Sequence, residues 1–308
     1  MSMLPDRYRR GSIVAATAVL PASMRVPLRR RLLAGHYAAL TRRADVVTAV
    51  HPKCGGTWLR AMIFRVYQQH YGLGTRRVVK SDEFARLDGR LPRFVFSNGH
   101  YSYESAVADT LDNLIADQQP RALMLMARHP GDIAVSWYHQ FTRRITPRKR
   151  ELILAEMNEP IDYRSITRAA FLANEEIGLP ALINYHNRWA ARIRAHANGL
   201  IVRYEDLRSR PIETLRQVMN HLGEDVDDTR IAEAVEFAGV DNLRKLESER
   251  YFKNSGLRQK KRGDPDTVKV RRARVGGFRT DLEPEQAAWV DQLIAERLDP
   301  VFGYSKAE

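Results

Sequence analysis

The stretch His51-Pro52-Lys53-Cys54-Gly55-Gly56-Thr57 places a cation, two glycines and a hydroxyl within seven consecutive residues. Small residues let backbone N–H groups close around an anion, and a helix starting there adds partial positive charge. Lys53 supplies a full charge and Thr57 a donor from the first helical turn. The same residues also suit a tight strand-to-helix turn with an exposed lysine. The Walker pattern G-x-x-x-x-G-K-[ST] is absent because Lys53 precedes the glycines, which argues against an ATPase or GTPase. Arg128 and Ser136 stand eight residues apart. A guanidinium at a turn and a hydroxyl two helical turns on can face one phosphate, the guanidinium as a planar fork. The plain alternative is a surface ion pair and a helix-surface serine. His100 ends the turn Ser97-Asn98-Gly99-His100, and an imidazole of pKa about 6.5 suits a general base near neutrality. A lone histidine at a strand end is also an ordinary surface residue. The other histidines near these turns, His51 and His139, read as structural.

These groups must be held by elements that the apolar pattern announces. Val46–Val50 reads as a strand entering the glycine turn, and Leu59, Met62, Ile63 and Val66 fall on one helical face beyond it. Phe94–Phe96 is a second strand, leading to His100. Ala122–Ala127 is a third, and Pro130 suits the first turn of a helix carrying Ile133, Trp137 and Phe141. Leu200–Arg203 is a fourth, followed by a helix from Pro211 with Ile212, Leu215, Met219 and Leu222 inward. Strand–turn–helix units in succession predict an α/β fold with a central parallel sheet flanked by helices. The turns then share the carboxyl edge of the sheet, where open α/β sheets bind ligands. Residues 142–190 read as a helical insertion over that edge, with Tyr163, Phe171, Leu172, Ile177, Leu182 and Tyr185 as candidates for an acceptor cavity or for core. Pro284 begins a final helix.

The 308 residues are 44% hydrophobic and 28% charged, a globular composition. The single cysteine, Cys54, excludes an internal disulfide framework and a four-cysteine zinc site. Its place at a helix N-terminus beside Lys53 would suit a low-pKa redox thiol, and a small filler in the turn is the simpler expectation. The net charge of +13 is concentrated: residues 1–44 hold +8 and residues 244–279 hold +9, leaving −4 for the rest. Nucleic acid, anionic lipid or a multiply phosphorylated small ligand would each suit such patches.

The run His51-Pro52-Lys53-Cys54-Gly55-Gly56-Thr57-Trp58-Leu59 resembles the 5′-phosphosulfate loop of sulfotransferases that use 3′-phosphoadenosine 5′-phosphosulfate (PAPS), usually Y-P-K-S-G-T-T-W-L. Three further matches follow in family order. Arg128-His129-Pro130-Gly131-Asp132 through His139 is similar to the 3′-phosphate motif R-N-P-x-D-x-x-V-S-x-Y-H, and Tyr204-Glu205-Asp206-Leu207 follows a strand. Arg271-Arg272-Ala273-Arg274-Val275-Gly276-Gly277-Phe278-Arg279 is similar to R-K-G-x-x-G-D-W-K. The resemblance implies a P-loop-like sulfotransferase fold and sulfuryl transfer from PAPS to a hydroxyl or amine, releasing 3′-phosphoadenosine 5′-phosphate (PAP). The implied nucleotide site is Lys53, Cys54, Gly55, Gly56, Thr57, Trp58, Arg128, Ser136, Tyr204, Arg271, Arg272 and Ala273. Lys53 would meet the bridging oxygen, Trp58 the adenine, and His100, in register with the histidine of K-T-H, the acceptor proton. No metal is implied. Cys54, Gly56, Asn98, Ala273, Gly277 and Val240 depart from the usual serine, threonine, lysine, glycine, aspartate and phenylalanine. The K-x-x-x-T-V-x-x-x-E dimer signature is not found after Arg279, so oligomeric state stays open.

The acceptor is expected to be a small molecule, a lipid or a carbohydrate. Residues 1–44 read as a basic and apolar helical extension, with 45–308 as a single sulfotransferase domain in which 244–279 covers the nucleotide. Arg7, Arg9 and Arg10 followed by Ile13–Leu20 resemble a secretory leader, but an A-x-A-like cleavage site is not clear. The expectation is a cytoplasmic enzyme whose segment 7–43 either packs simply on the domain or rests on anionic membrane. A P-loop kinase and a basic nucleic-acid binder are the rivals. The former lacks its lysine position, the latter does not explain the ordered turns, and no nucleic-acid partner is expected.

Overall fold

A computed structural model describes residues 6–75, 83–98, 120–249, 251 and 275–304. His100 and the basic run Arg271, Arg272 and Ala273 lie outside the described residues. Four strands are present among those described: β1 (Val46–Val50), β2 (Phe94–Ser97), β3 (Ala122–Ala127) and β4 (Gly199–Arg203). They form one parallel sheet in the order β2-β1-β3-β4, with Val46 level with Phe94 on one side and Ala122 on the other. Every residue of β3 is buried, as expected of a parallel strand covered on both faces. From β1 the chain builds outward both ways, so the carboxyl end of β1 is a topological switch point, the place where such sheets leave a crevice.

In chain order the principal helices are α1 (Asp6–Ala16), α2 (Ala22–Thr41), α3 (Gly56–His70), α4 (Pro130–His139), α5 (Pro147–Leu154), α6 (Arg168–Ala173) and α7 (Leu179–Ala195). They continue with α8 (Tyr204–Ser209), α9 (Pro211–His221), α10 (Asp228–Phe237), α11 (Val240–Ser248) and α12 (Pro284–Arg297). The expected face of α3 is buried throughout: Leu59, Met62, Ile63 and Val66 are all fully covered. Two details differ from the sequence reading. Ile212 is 40% exposed, not inward; at the first turn of α9 it lies beyond the edge of the core that Leu215 and Met219 fill. Phe141 sits in a π-helical turn, Gln140–Arg144, rather than in α4 itself. The guanidinium of Arg150 closes that turn, donating to the carbonyls of Phe141, Thr142 and Ile145.

The candidate cavity residues of the insertion are core. Phe171, Leu172, Ile177, Leu182 and Tyr185 are all buried, and Tyr163 lies under the Arg150 guanidinium at 3.6 Å. The basic N-terminal hairpin packs on this insertion. Arg25 and Arg29 reach the two carboxylate oxygens of Glu151 at 2.9 and 2.8 Å, and Leu33 and Tyr37 cluster with Leu152. The apolar run 13–20 is not one helix, because α1 stops at Ala16. No helix among the described residues is long and apolar enough to cross a membrane.

Candidate functional site

The loop between β1 and α3 is tighter than its sequence requires it to be. Lys53 has φ of 81°, the only positive value for a non-glycine among the described residues. Such a conformation costs about 1–2 kcal/mol in an L-residue and marks a position fixed by its surroundings. Gly55 follows with φ of 93°. A Cβ on Gly55 would stand 2.7 Å from the Tyr204 ring, and one on Gly56 would stand 2.3 Å from Val50 Cγ1. Threonine, the residue expected at position 56, would not fit without moving β1. The amides of Trp58 and Leu59 both donate to the Gly55 carbonyl, at 2.8 and 3.2 Å. Gly56 and Thr57, the first two residues of α3, come before any intrahelical acceptor, leaving their amides for an anion.

Beneath the loop lies His51, wholly buried between the rings of Trp137 and Tyr185. Its Nδ1–H donates to the Pro52 carbonyl at 2.8 Å. Burial pushes its pKa down to about 3, so the ring is neutral and serves as packing. Cys54 is also fully buried, and burial drives its thiol pKa up. Both observations oppose a redox role: the thiolate would be desolvated, and desolvation outweighs the attraction of Arg128. The small-filler reading stands.

Arg128 leaves the end of β3 and joins two motifs. Its Nη1 donates to the Lys53 carbonyl at 3.3 Å, and its Nη2 reaches Asp132 Oδ2 at 3.2 Å. The guanidinium lies over the Tyr204 ring at 4.4 Å, so Tyr204 packs against both Arg128 and Gly55. Trp58 meets Tyr204 edge-on at 5.6 Å, and its indole N–H donates to the Ala238 carbonyl at 2.8 Å. That bond fixes the plane of a ring that stays half-exposed. Ser136 is half-buried on α4, one turn beyond Asp132 and on the same face.

Sequence reasoning assigned no role to the residues that tie this site together. Asp132, 4% exposed, accepts the Phe278 amide on Oδ1 and the Gly276 amide on Oδ2, each at 3.0 Å, while holding Arg128. It thus pins Gly276 and Phe278, which follow the basic run 271–274 in sequence, beside the arginine. His129 caps α4 by accepting the Gly131 amide at 3.2 Å, and its ring stacks on Phe278. Burial first, then the nearby arginines, lowers its pKa to about 3, which suits an acceptor nitrogen. Glu205 accepts the His129 amide at 3.0 Å and the Tyr304 hydroxyl at 2.6 Å. Each residue stands inside a quoted motif, but each also has a partner more than seventy positions away. Only the motif's own spacing could have marked it.

Known proteins resemble this chain along most of its length. The family profile described as a sulfotransferase domain matches residues 43–302. Among characterised relatives, "Cytosolic sulfotransferase 5" of Arabidopsis thaliana is 22% identical over 279 residues, 82% of this chain and 79% of that protein. "Cytosolic sulfotransferase 12" of the same plant is 24% identical over 276 residues, 82% and 77% respectively. Two solved structures share the fold. A mouse sulfotransferase complexed with PAP has a TM-score of 0.57 at 17% identity, covering 85% of this chain and 88% of the other. Retinol dehydratase with retinol and PAP has a TM-score of 0.53 at 14% identity, covering 83% and 81%.

Proposed function

The chain belongs to the sulfotransferase family, and from that premise we propose how its residues divide the work of moving a sulfuryl group from PAPS to a small-molecule acceptor. The enzyme is a PAPS-dependent sulfotransferase with PAP as the spent nucleotide. The observation that carries the site assignment is the bond from Arg128 to the Lys53 carbonyl, which joins the two phosphate motifs at adjacent strand ends.

In the proposed arrangement the loop amides of Gly55 and Gly56, the amide and hydroxyl of Thr57, and the small side chain of Cys54 enclose the 5′-phosphosulfate. Arg128, Ser136, Arg271, Arg272 and the Ala273 backbone hold the 3′-phosphate. Trp58, set by its bond to Ala238, stacks on adenine, and Tyr204 backs it. Transfer is an in-line displacement. The acceptor oxygen forms a bond to sulfur as the bond from sulfur to the bridging oxygen breaks, and His100 takes the acceptor proton. Lys53 meets the charge gathering on the bridging oxygen, so its cation counts most in the transition state. A hydroxyl or amine of a lipid, carbohydrate or other small molecule is the proposed acceptor.

The enzyme is proposed to work in the cytoplasm, with residues 45–308 as the catalytic unit and 1–44 as an extension. The outer face of α2 presents Met24, Leu28 and Leu32 at i, i+4 and i+8, all at least 40% exposed, beside exposed Arg31. No acidic residue occurs from 7 to 44. Apolar side chains edged by cations fit an anionic membrane surface, and loss of flotation with anionic vesicles at low salt would refute that placement.

Calorimetric titration with PAP and with ATP tests the nucleotide site. PAP should bind well and ATP far more weakly, and Arg128→Ala should remove most of the difference. Lys53→Ala and His100→Ala should each abolish most turnover while PAP affinity holds within a few-fold. Full turnover in either variant refutes the role assigned to that residue. Tight ATP binding with magnesium-dependent phosphate transfer would favour a kinase.

A further inference from the structure

α3 turns one row of side chains, Arg60, Phe64 and Tyr67 at i, i+4 and i+7, toward the aromatic residues around β2. Tyr67 meets Phe94 and Phe84, and Phe64 meets Phe84. At the ligand edge the row ends in a cation. The Arg60 guanidinium lies over Phe96 at 4.4 Å, and Phe96 is the last residue but one of β2. Arg60 follows Thr57 by one helical turn, and His100 follows Phe96 by four residues in sequence. This cation therefore sits where the phosphosulfate loop and the strand leading to the candidate base come together.

Among the described residues Arg60 makes no hydrogen bond or ion pair, and its Nε is sealed from solvent without a partner. Other arginines among the described residues are matched: Arg65 with Glu233, Arg29 with Glu151, Arg128 with Asp132. The titratable groups that act on Arg60 among the described residues are Tyr37 and a second cation, Arg10, whose Nη1 reaches the Tyr37 hydroxyl at 3.4 Å. Burial pushes the Arg60 pKa down to about 10, with Arg10 adding to the effect, yet the side chain stays charged near neutrality. A half-buried cation with no anion beside it among the described residues is partly desolvated without compensation, and an incoming anion offsets that penalty.

We propose that Arg60 selects acceptors bearing an anionic group, a carboxylate, phosphate or sulfate ester, and holds that group at the β2 end of the site. The proposal rests on the sulfotransferase reading and narrows its acceptor class. A guanidinium takes a planar oxyanion through two parallel N–H bonds, which fixes orientation as well as charge. Phe96 holds the plane of the fork, and the acceptor hydroxyl then presents itself toward the phosphosulfate loop rather than away from it.

The test uses the full chain saturated with PAP and a probe pair differing by one charge, 4-hydroxybenzoate and its methyl ester, followed by calorimetry. The acid should bind about tenfold or more tightly than the ester. Arg60→Gln should bring the two within roughly twofold of each other while PAP affinity stays at the wild-type value. Arg60→Lys should retain part of the difference, because charge survives without the fork. Arg60→Met keeps the apolar stem on Phe96, so a packing role alone would leave the preference for the acid intact in that variant. Equal binding of the pair by wild type, binding of neither, or a preference that survives Arg60→Gln overturns the proposal. A protein that fails to favour PAP over ATP fails the nucleotide reading. One that binds PAP and treats the pair alike fails this proposal alone.

Discussion

Replacing Asp132 by Asn keeps its shape and removes its charge, which isolates what the carboxylate does. Oδ1 takes the Phe278 amide, and Oδ2 takes the Gly276 amide and the Arg128 guanidinium. An asparagine offers one acceptor. Whichever way the amide turns, a donor faces a donor on the other side, leaving a buried N–H unsatisfied at a cost of about 1–3 kcal/mol. The remaining bonds lose their charge assistance, about 1 kcal/mol more. A total near 3 kcal/mol lowers Tm by about 4–6 °C in a protein of this size. It should also loosen Gly276 and Phe278 from the Asp132–Arg128 pair, so PAP affinity falls by about tenfold or more. Thermal unfolding and PAP calorimetry on the purified variant measure both effects. Asp132→Asn with wild-type Tm and wild-type PAP affinity would show that the bridge between α4 and Gly276 does not organise the nucleotide site. A lowered Tm with unchanged affinity would confine Asp132 to packing.

Gly56→Ala places a methyl 2.3 Å from Val50 Cγ1, and overpacking of that kind costs about 1–3 kcal/mol; urea unfolding should show the loss, and PAP should bind more weakly as the loop shifts. Cys54 should resist thiol reagents in the folded protein and react at once in denaturant, since it is buried and its thiol pKa is raised; rapid labelling of native protein would refute this. Stability should fall with acid through His51 and His186, both fully buried with pKa values lowered to about 3 and about 4. The unfolded rings accept protons below about pH 6.5 while the folded ones refuse them, so stability is complete above that pH and declines below it, by about 2 kcal/mol per ring between pH 7 and pH 5. Denaturant midpoints across that range check the slope, and a flat profile would mean the rings gain access to water.

The fold was legible because its signals are local. Val46–Val50 and Ala122–Ala127 are unbroken apolar runs, as parallel strands buried on both faces must be. Pro130 and Pro211 begin helices because a helix's first turn has no use for their missing N–H. The glycine pair announces a turn in which a side chain cannot be accommodated, and the distances to Tyr204 and Val50 show why. Ile212 misled because helical spacing says which residues share a face, but not how far along the helix the core extends.

By itself, then, the amino-acid order determined the parallel sheet, the tight glycine turn after β1, and the helix that follows Arg128. Tertiary structure alone decided that Lys53 is held at φ of 81°, that Asp132 gathers Gly276 and Phe278, and that Cys54 is too deep to titrate. It also decided that Arg29 meets Glu151 while Arg60 meets no carboxylate among the described residues. The physical reason is range: propensity and periodicity act over a few residues. Burial and hydrogen-bond satisfaction depend on what the folded chain brings alongside from a hundred or more positions away, and no local pattern encodes that neighbour.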